Sequence, residues 1–222
     1  MASKQANRDE IDCTVAALRH RRGLIVVVSA PSGTGKTTVC EKLLEEMPGL
    51  RRSVSFTTRP KRKEETKGQH YHFVSERRFL EERSRGRFAE WAKVHGYLYG
   101  TPRDFLESRI EAGIDTVLVI DVQGARSIRE AFPEAVLVFL LPPSLAELKK
   151  RLKSRSSDSS KDIKVRLRNA RAEFNCYRTY DYLVVNDYVA EAVSNLKAII
   201  TAERCRSGRP GTQNQSGRTV DV

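Results

Sequence analysis

Apolar positions fall into short continuous runs separated by stretches of helical spacing. Leu24-Ile-Val-Val-Val-Ser-Ala30 is the first run, and it ends in turn chemistry. A segment apolar at consecutive positions reads as a strand buried on both faces of a parallel sheet. Thr116-Val-Leu-Val-Ile-Asp121, Ala135-Val-Leu-Val-Phe-Leu140 and Tyr182-Leu-Val-Val-Asn186 repeat the pattern. Between them, helical periodicity predicts helices over 36–47, 102–112, 124–131, 144–153, 161–177 and 188–204, with Pro48-Gly49 stopping the first. Strands alternating with helices predict an α/β fold with a central parallel sheet flanked by helices.

Residues 53–101 break this rhythm. Short alternating pieces, Ser53 to Thr57, His70 to Val74, Phe88 to Ala92 and Tyr97 to Tyr99, sit among Gly68, Gly86, Gly96 and Gly100 and predict a small mixed-β insert. Ile11, Val15 and Leu18 share helical spacing within an N-terminal extension, predicting a short helix from about Arg8 to Arg21. The Ser-rich stretch 154–161 predicts a mobile loop, and the Gly-, Ser- and Gln-rich tail a disordered end. The expected organisation is an extension over 1–22 and a domain over 23–205, followed by a flexible tail over 206–222. Within the domain the core is 23–52 and 102–205, the insert 53–101 and a mobile lid about 150–166.

Charge narrows the class of partner. The 222 residues carry 40 Lys and Arg against 28 Asp and Glu, a net charge of +12, which points to phosphate-bearing ligands, nucleic acid or small nucleotides. No apolar run approaches the ~18 residues that a membrane span needs, and the first 22 residues lack the apolar core of a secretory signal. Cys13, Cys40, Cys176 and Cys205 are scattered without a C-x-x-C pair, so a disulfide framework or zinc site is not expected and a reducing cytoplasm is. His20, His70, His72 and His95 read as surface or packing residues rather than metal ligands.

The candidate chemistry begins after the first strand. Ala30-Pro31-Ser32-Gly33-Thr34-Gly35-Lys36-Thr37-Thr38 follows the pattern G-x-x-x-x-G-K-[ST] with Ala in the first slot. Its glycines let successive backbone N–H groups curl around phosphate oxygens, and the helix that follows adds its positive end. Lys36 is suited to the terminal phosphates and the Thr37 hydroxyl to Mg²⁺. In the insert, Arg59 and Arg62 can converge on one phosphate with charge-assisted, forked contacts. Glu90 is the informative carboxylate there. Guanine presents N1–H and a 2-amino group side by side, which a carboxylate accepts together, whereas adenine presents an acceptor at that edge.

Together these segments resemble guanylate kinase, in its bacterial form, over about Gly23 to Arg206. The resemblance rests on Ser-Ala-Pro-Ser-Gly-Thr-Gly-Lys-Thr at 29–37, Thr-Thr-Arg-Pro-x-Arg at 57–62 and Phe-x-Glu-Trp-Ala at 88–92. It continues through Tyr-Gly-Thr at 99–101, Asp-x-Gln-Gly at 121–124 and Val-Asn-Asp at 185–187. It implies a P-loop kinase fold and phosphoryl transfer from ATP to GMP with Mg²⁺, giving ADP and GDP, with dGMP a weaker acceptor. The insert becomes a GMP-binding lobe, with Ser55, Arg59, Arg62, Tyr71, Glu90, Tyr99, Thr101 and Asp121 around the acceptor and Asn186 bordering the adenine of ATP. Arg151, Arg155 and Arg166 match the lid arginines that close over the transferring phosphoryl, making them catalytic with Lys36.

Two departures from the family pattern stand out. The lid run Ser156 to Lys161 lacks the usual Gly and paired acids, and Val119 stands where a first Asp of Asp-x-Asp is usual. Strand alternation puts Val119 on the same face as Asp121, toward the site, leaving Asp121 to act alone. Three other readings compete with the kinase: a guanylate-kinase-like module that binds phosphopeptides, a nucleic-acid-binding P-loop protein, and a kinase of a different small phosphate. The intact Lys36 and Thr37 argue against the first. Two polyphosphates absorb much of the +12 charge, so nucleic acid and membrane are not expected partners. The expected assembly is a monomer or homodimer.

Overall fold

The structure, a computed structural model, describes residues 21–62, 65–94, 96–153 and 160–207, with the backbone alone over 160–164. The helix expected over 8–21, the loop at 154–161 with Arg155, and the C-terminal tail lie outside the described residues, apart from their ends at Arg21, at 160–161 and at 206–207.

The main sheet is built from β1 (Ile25–Ser29), β2 (Leu50–Arg52), β7 (Asp115–Val119), β8 (Val136–Leu141) and β9 (Tyr182–Val185). Their order is β2-β7-β1-β8-β9, and every pairing is parallel. β1, β7 and β8 are covered on both faces, which is why their sequences read as unbroken apolar runs, whereas β9, expected to be buried likewise, lies at the sheet edge with Leu183 and Val185 exposed. Val26 and Val28 pack with Val39, Cys40 and Leu43 of α1 (Lys36–Glu46) and with Ala192, Leu196 and Ile200 of α7 (Val189–Arg204). On the opposite face, Ile25 and Val27 meet Leu106 and Ile110 of α3 (Arg103–Glu111) and Ala125 and Ile128 of α4 (Val122–Ala131). Each Val, Leu or Ile side chain buried in these two layers contributes about 1.5–3 kcal/mol.

The insert is a four-stranded mixed sheet in the order β4-β3-β6-β5. β3 (Ser55–Thr57) runs parallel to β4 (Tyr71–Phe73) and antiparallel to β6 (Tyr97–Pro102), which pairs antiparallel with β5 (Phe88–Val94). Its own small core is aromatic, with Phe79 and Phe88 stacked at 4.6 Å between ring centroids beside Leu98.

Four local readings change. The insert also contains a helix, α2 (Glu76–Ser84), whose start is capped by the Ser75 hydroxyl accepting from Arg78 N at 3.3 Å. Only Phe79 of that helix is buried, so no apolar stripe announces it. β2 adds an edge strand that three residues, two of them arginine, do not reveal. The helix expected over 161–177 divides into α6 (Ser160–Phe174) and a 3₁₀ turn, Asn175–Thr179. Finally, β7 stops at Val119, and Asp121 is the cap of α4, its carboxylate accepting from Gly124 N at 2.9 Å. The alternation that placed Val119 beside Asp121 therefore does not extend that far. Val119 packs against the apolar layer under α1 instead. One further helix, α5 (Leu145–Lys153), completes the fold, and among the described residues no helix is long and apolar enough to cross a membrane.

Candidate active site

The loop between β1 and α1 is shaped by two glycines in left-handed conformation, Gly33 at φ +93° and Gly35 at φ +92°. Neither tolerates a side chain. A Cβ on Gly33 would lie 2.7 Å from Leu152, and one on Gly35 2.6 Å from Asn186 Nδ2. Ala30, Pro31 and Thr34 are buried, Ser32 is half-buried, and Thr37 and Thr38 are exposed on the first turn of α1. The loop is held from behind. Asn186 Nδ2 donates to Thr34 O at 2.7 Å, and Arg151 donates to Asn186 O at 3.0 Å and to Thr34 O at 3.4 Å, while its Nε donates to Glu147 at 3.2 Å. Asn186, expected to border the adenine, is thus buried under the loop as a brace. Arg151 sits against the Thr34 carbonyl of the loop and the Asn186 carbonyl after β9, and Arg166 lies half-buried on α6.

Lys36 donates to Ile120 O at 2.7 Å, which aims it at the gap between the ends of β1 and β7. Burial lowers its pKa, and the Asp121 carboxylate opposes that shift. Asp121 also adds to the upward shift of Glu90 in the insert. The core and the insert therefore face each other across Asp121.

On the insert side, Ser55 Oγ and Thr101 Oγ1 lie 3.0 Å apart, and Thr101 Oγ1 donates to Glu90 Oε1 at 2.6 Å. These three are buried. Burial pushes the Glu90 carboxyl up to about 7, with the Thr101 hydroxyl working against it. The other carboxylate oxygen points toward Gly124, where a Cβ would come within 2.7 Å of it. A second group gathers Arg59, Tyr71 and Tyr99. Arg59 Nε donates to Tyr99 Oη at 3.2 Å, its guanidinium lies 5.6 Å from the Tyr71 ring centre, and Tyr71 and Tyr99 meet edge to face at 5.8 Å.

Arg59 and Arg62 do not converge. Both terminal nitrogens of Arg59 donate to Glu65, at 3.1 and 2.6 Å, while Arg62 is exposed and contributes its backbone N–H to the same carboxylate. Glu65 was not legible as a site residue, because in sequence it is one more charge in a charged loop. Glu173 on α6 was missed likewise. Burial lifts its carboxyl to about 7, with Lys36 lowering and Asp121 raising it, which brings it to the same charge cluster from 52 residues beyond Asp121. Only the fold reveals that approach.

The profile of the guanylate kinase family matches residues 22–203. The chain belongs to the guanylate kinase family. It is 45% identical over 202 residues to guanylate kinase of Syntrophotalea carbinolica, covering 91% of this chain and 95% of the relative. It is 49% identical to guanylate kinase of Rhizobium meliloti over 86% of this chain and 88% of that one. The crystal structure of guanylate kinase from Anaplasma phagocytophilum aligns with a TM-score of 0.71 at 37% identity, over 84% of this chain and 88% of that one. The fold is thus that of a guanylate kinase, a parallel core sheet carrying a phosphate loop and a small mixed sheet inserted after β2.

Proposed function

We propose that this guanylate kinase family member transfers the terminal phosphoryl group of ATP to GMP. An oxygen of the GMP phosphate forms the new bond to phosphorus, the bond to the bridging oxygen of ADP breaks, and GDP and ADP leave. The observation that carries the reading is the buried chain Ser55–Thr101–Glu90, set across Asp121 from the phosphate loop.

The ATP phosphates fit the loop from Ala30 to Thr38, where backbone N–H groups and the start of α1 favour negative charge. Lys36 exchanges the Ile120 carbonyl for phosphate oxygens and stabilises charge developing in transfer. GMP fits the insert, its base against Glu90, Thr101 and Ser55 and its phosphate toward Tyr71, Tyr99, Arg59, which exchanges Glu65 for phosphate oxygens, and Arg62, which turns in from its exposed position. Ionised Glu90 accepts from guanine N1–H and the 2-amino group, and it offers adenine no donor. Arg151 and Arg166 approach the transferring group from α5 and α6. The nearby oxygens suit a hard cation: Thr37 is exposed and Asp121 supplies a carboxylate, while the Cys40 thiol is buried and pushed up to about 12. The Thr37 hydroxyl would hold Mg²⁺ together with the ATP phosphates, and the ion would neutralise charge on the transferring group. The free thiols Cys40, Cys176 and Cys205 accord with a cytoplasmic setting.

Chromatography of a mixture of ATP, Mg²⁺, GMP and the protein tests the reaction. ADP and GDP are expected in equal amounts. ADP without GDP, or no turnover, contradicts it.

A further inference from the structure

β2 ends at Arg52, and its position is dictated by register. Leu50, Arg51 and Arg52 pair with Asp115, Thr116 and Val117 of β7, and Ser53 N then donates to Val117 O at 2.9 Å. All five strands of this sheet are parallel, so the last residue of β2 lies at the carboxyl edge that carries the phosphate loop and Asp121. Alternation fixes the face. Leu50 packs with Val39, Cys40 and Leu43 under α1, Arg51 is exposed, and Arg52 returns to the Leu50 side. Arg52 therefore projects toward the opening turns of α1, at the point where the chain leaves the core for the insert.

The surroundings agree with that placement. Burial is the largest influence on Lys36, Cys40 and Tyr71, and the charge of Arg52 acts on all three, lowering each. One guanidinium thus lies in Coulombic range of the phosphate-loop lysine and of an insert tyrosine. It is half-buried. Among the described residues, no ion pair or side-chain hydrogen bond holds it. β7 ends beside it in Val119, which provides no carboxylate. Arg59, which also faces Tyr71, is by contrast engaged on Glu65 and Tyr99. A partly desolvated cation facing a second cation is unfavourable until an anion sits between them.

We infer that Arg52 is a binding residue for the phosphate of the acceptor nucleotide, reaching it from the core side while Tyr71 reaches it from the insert. The inference rests on the reading that the acceptor is GMP. An ATP phosphate is the alternative anion, but Tyr71 belongs to the insert and lies outside the phosphate loop.

Calorimetric binding of GMP and of guanosine, with KM for GMP and ATP, tests this in wild type, Arg52→Met and Arg52→Lys. Losing one charge-assisted contact is expected to weaken GMP about tenfold or more in Arg52→Met. Guanosine affinity and the ATP KM should hold, and Arg52→Lys should recover most of the loss. The melting temperature of ligand-free Arg52→Met should not fall, since no native partner is lost. Equal weakening of GMP and guanosine, unchanged GMP binding, or a shift in the ATP KM alone each overturns the assignment. If wild type makes no GDP, the reading of the reaction fails instead, separately from the role of Arg52.

Discussion

At the scale of single residues, Glu90 joins the proposed reading of the base to stability. Its carboxyl titrates at about 7 in the folded chain against an ordinary 4.5, because burial disfavours the charged form. A pKa raised on folding gives a contribution fully present below about pH 4.5 and lost as pH rises through about 7. Glu90→Gln removes that loss. Calorimetry of the ligand-free proteins should show the variant's melting temperature gaining on wild type between pH 5 and pH 8, and a constant difference would contradict it. Gly124 makes room for the same carboxylate. In Gly124→Ala the new Cβ would lie 2.7 Å from Glu90 Oε2, so the side chain must move. Steady-state kinetics should give a KM for GMP raised on the order of tenfold with little change for ATP, and equal changes for both substrates would contradict it. Glu90 was legible because its chemistry is local to one motif. Glu65 was not, being one more charge in a charged loop, nor was Glu173, whose charged neighbours Lys36 and Asp121 only the folded chain brings near.

At the scale of elements, what the sequence revealed depended on burial. β1, β7 and β8 are covered on both faces and appear as apolar runs. β2 and α2 are short, lie at edges and bury one residue each in full, so propensity and periodicity had little to register. The phosphate loop shows the same dependence in reverse. Its motif was plain, but the brace behind it, Asn186 and Arg151 on Thr34 O, comes from the residue after β9 and from α5 and could be read only as ligand contacts. Two glycines separate conformational strain from this packing. Gly35 and Gly49 have φ near +90°, but a Cβ at Gly49 meets nothing within 4 Å, while one at Gly35 meets Asn186 at 2.6 Å. Gly49→Ala should cost about 1 kcal/mol of stability with activity intact. Gly35→Ala should in addition lose ATP binding, measured by calorimetry. Matching ATP affinities in the two variants would show that the brace does not shape the loop.

At the scale of the whole molecule, distant parts of the chain are tied to one sheet edge. Asp115 in β7 is buried and accepts from Arg21 through both carboxylate oxygens, at 2.7 and 2.8 Å, from Leu24 N at 2.8 Å and from Arg204 at 2.8 Å. These contacts join the approach to β1 to the last turn of α7. Burial raises the Asp115 pKa, but its hydrogen bonds outweigh that and hold it below the usual range, so this support is present near neutrality and fades as pH falls through acid values. Asp115→Asn should cost about 3–5 kcal/mol in denaturant unfolding at pH 7, and a loss under 1 kcal/mol would show the clamp to be incidental. With the core so fixed, Glu90 of the insert lies against Gly124 of α4, and the proposed site there selects guanine. A coupled ADP-release assay with ATP and GMP, dGMP, AMP, UMP or CMP measures that directly. GMP should exceed AMP in kcat/KM by at least about 10²-fold, with dGMP second. Equal turnover of GMP and AMP by the wild-type protein would contradict the account.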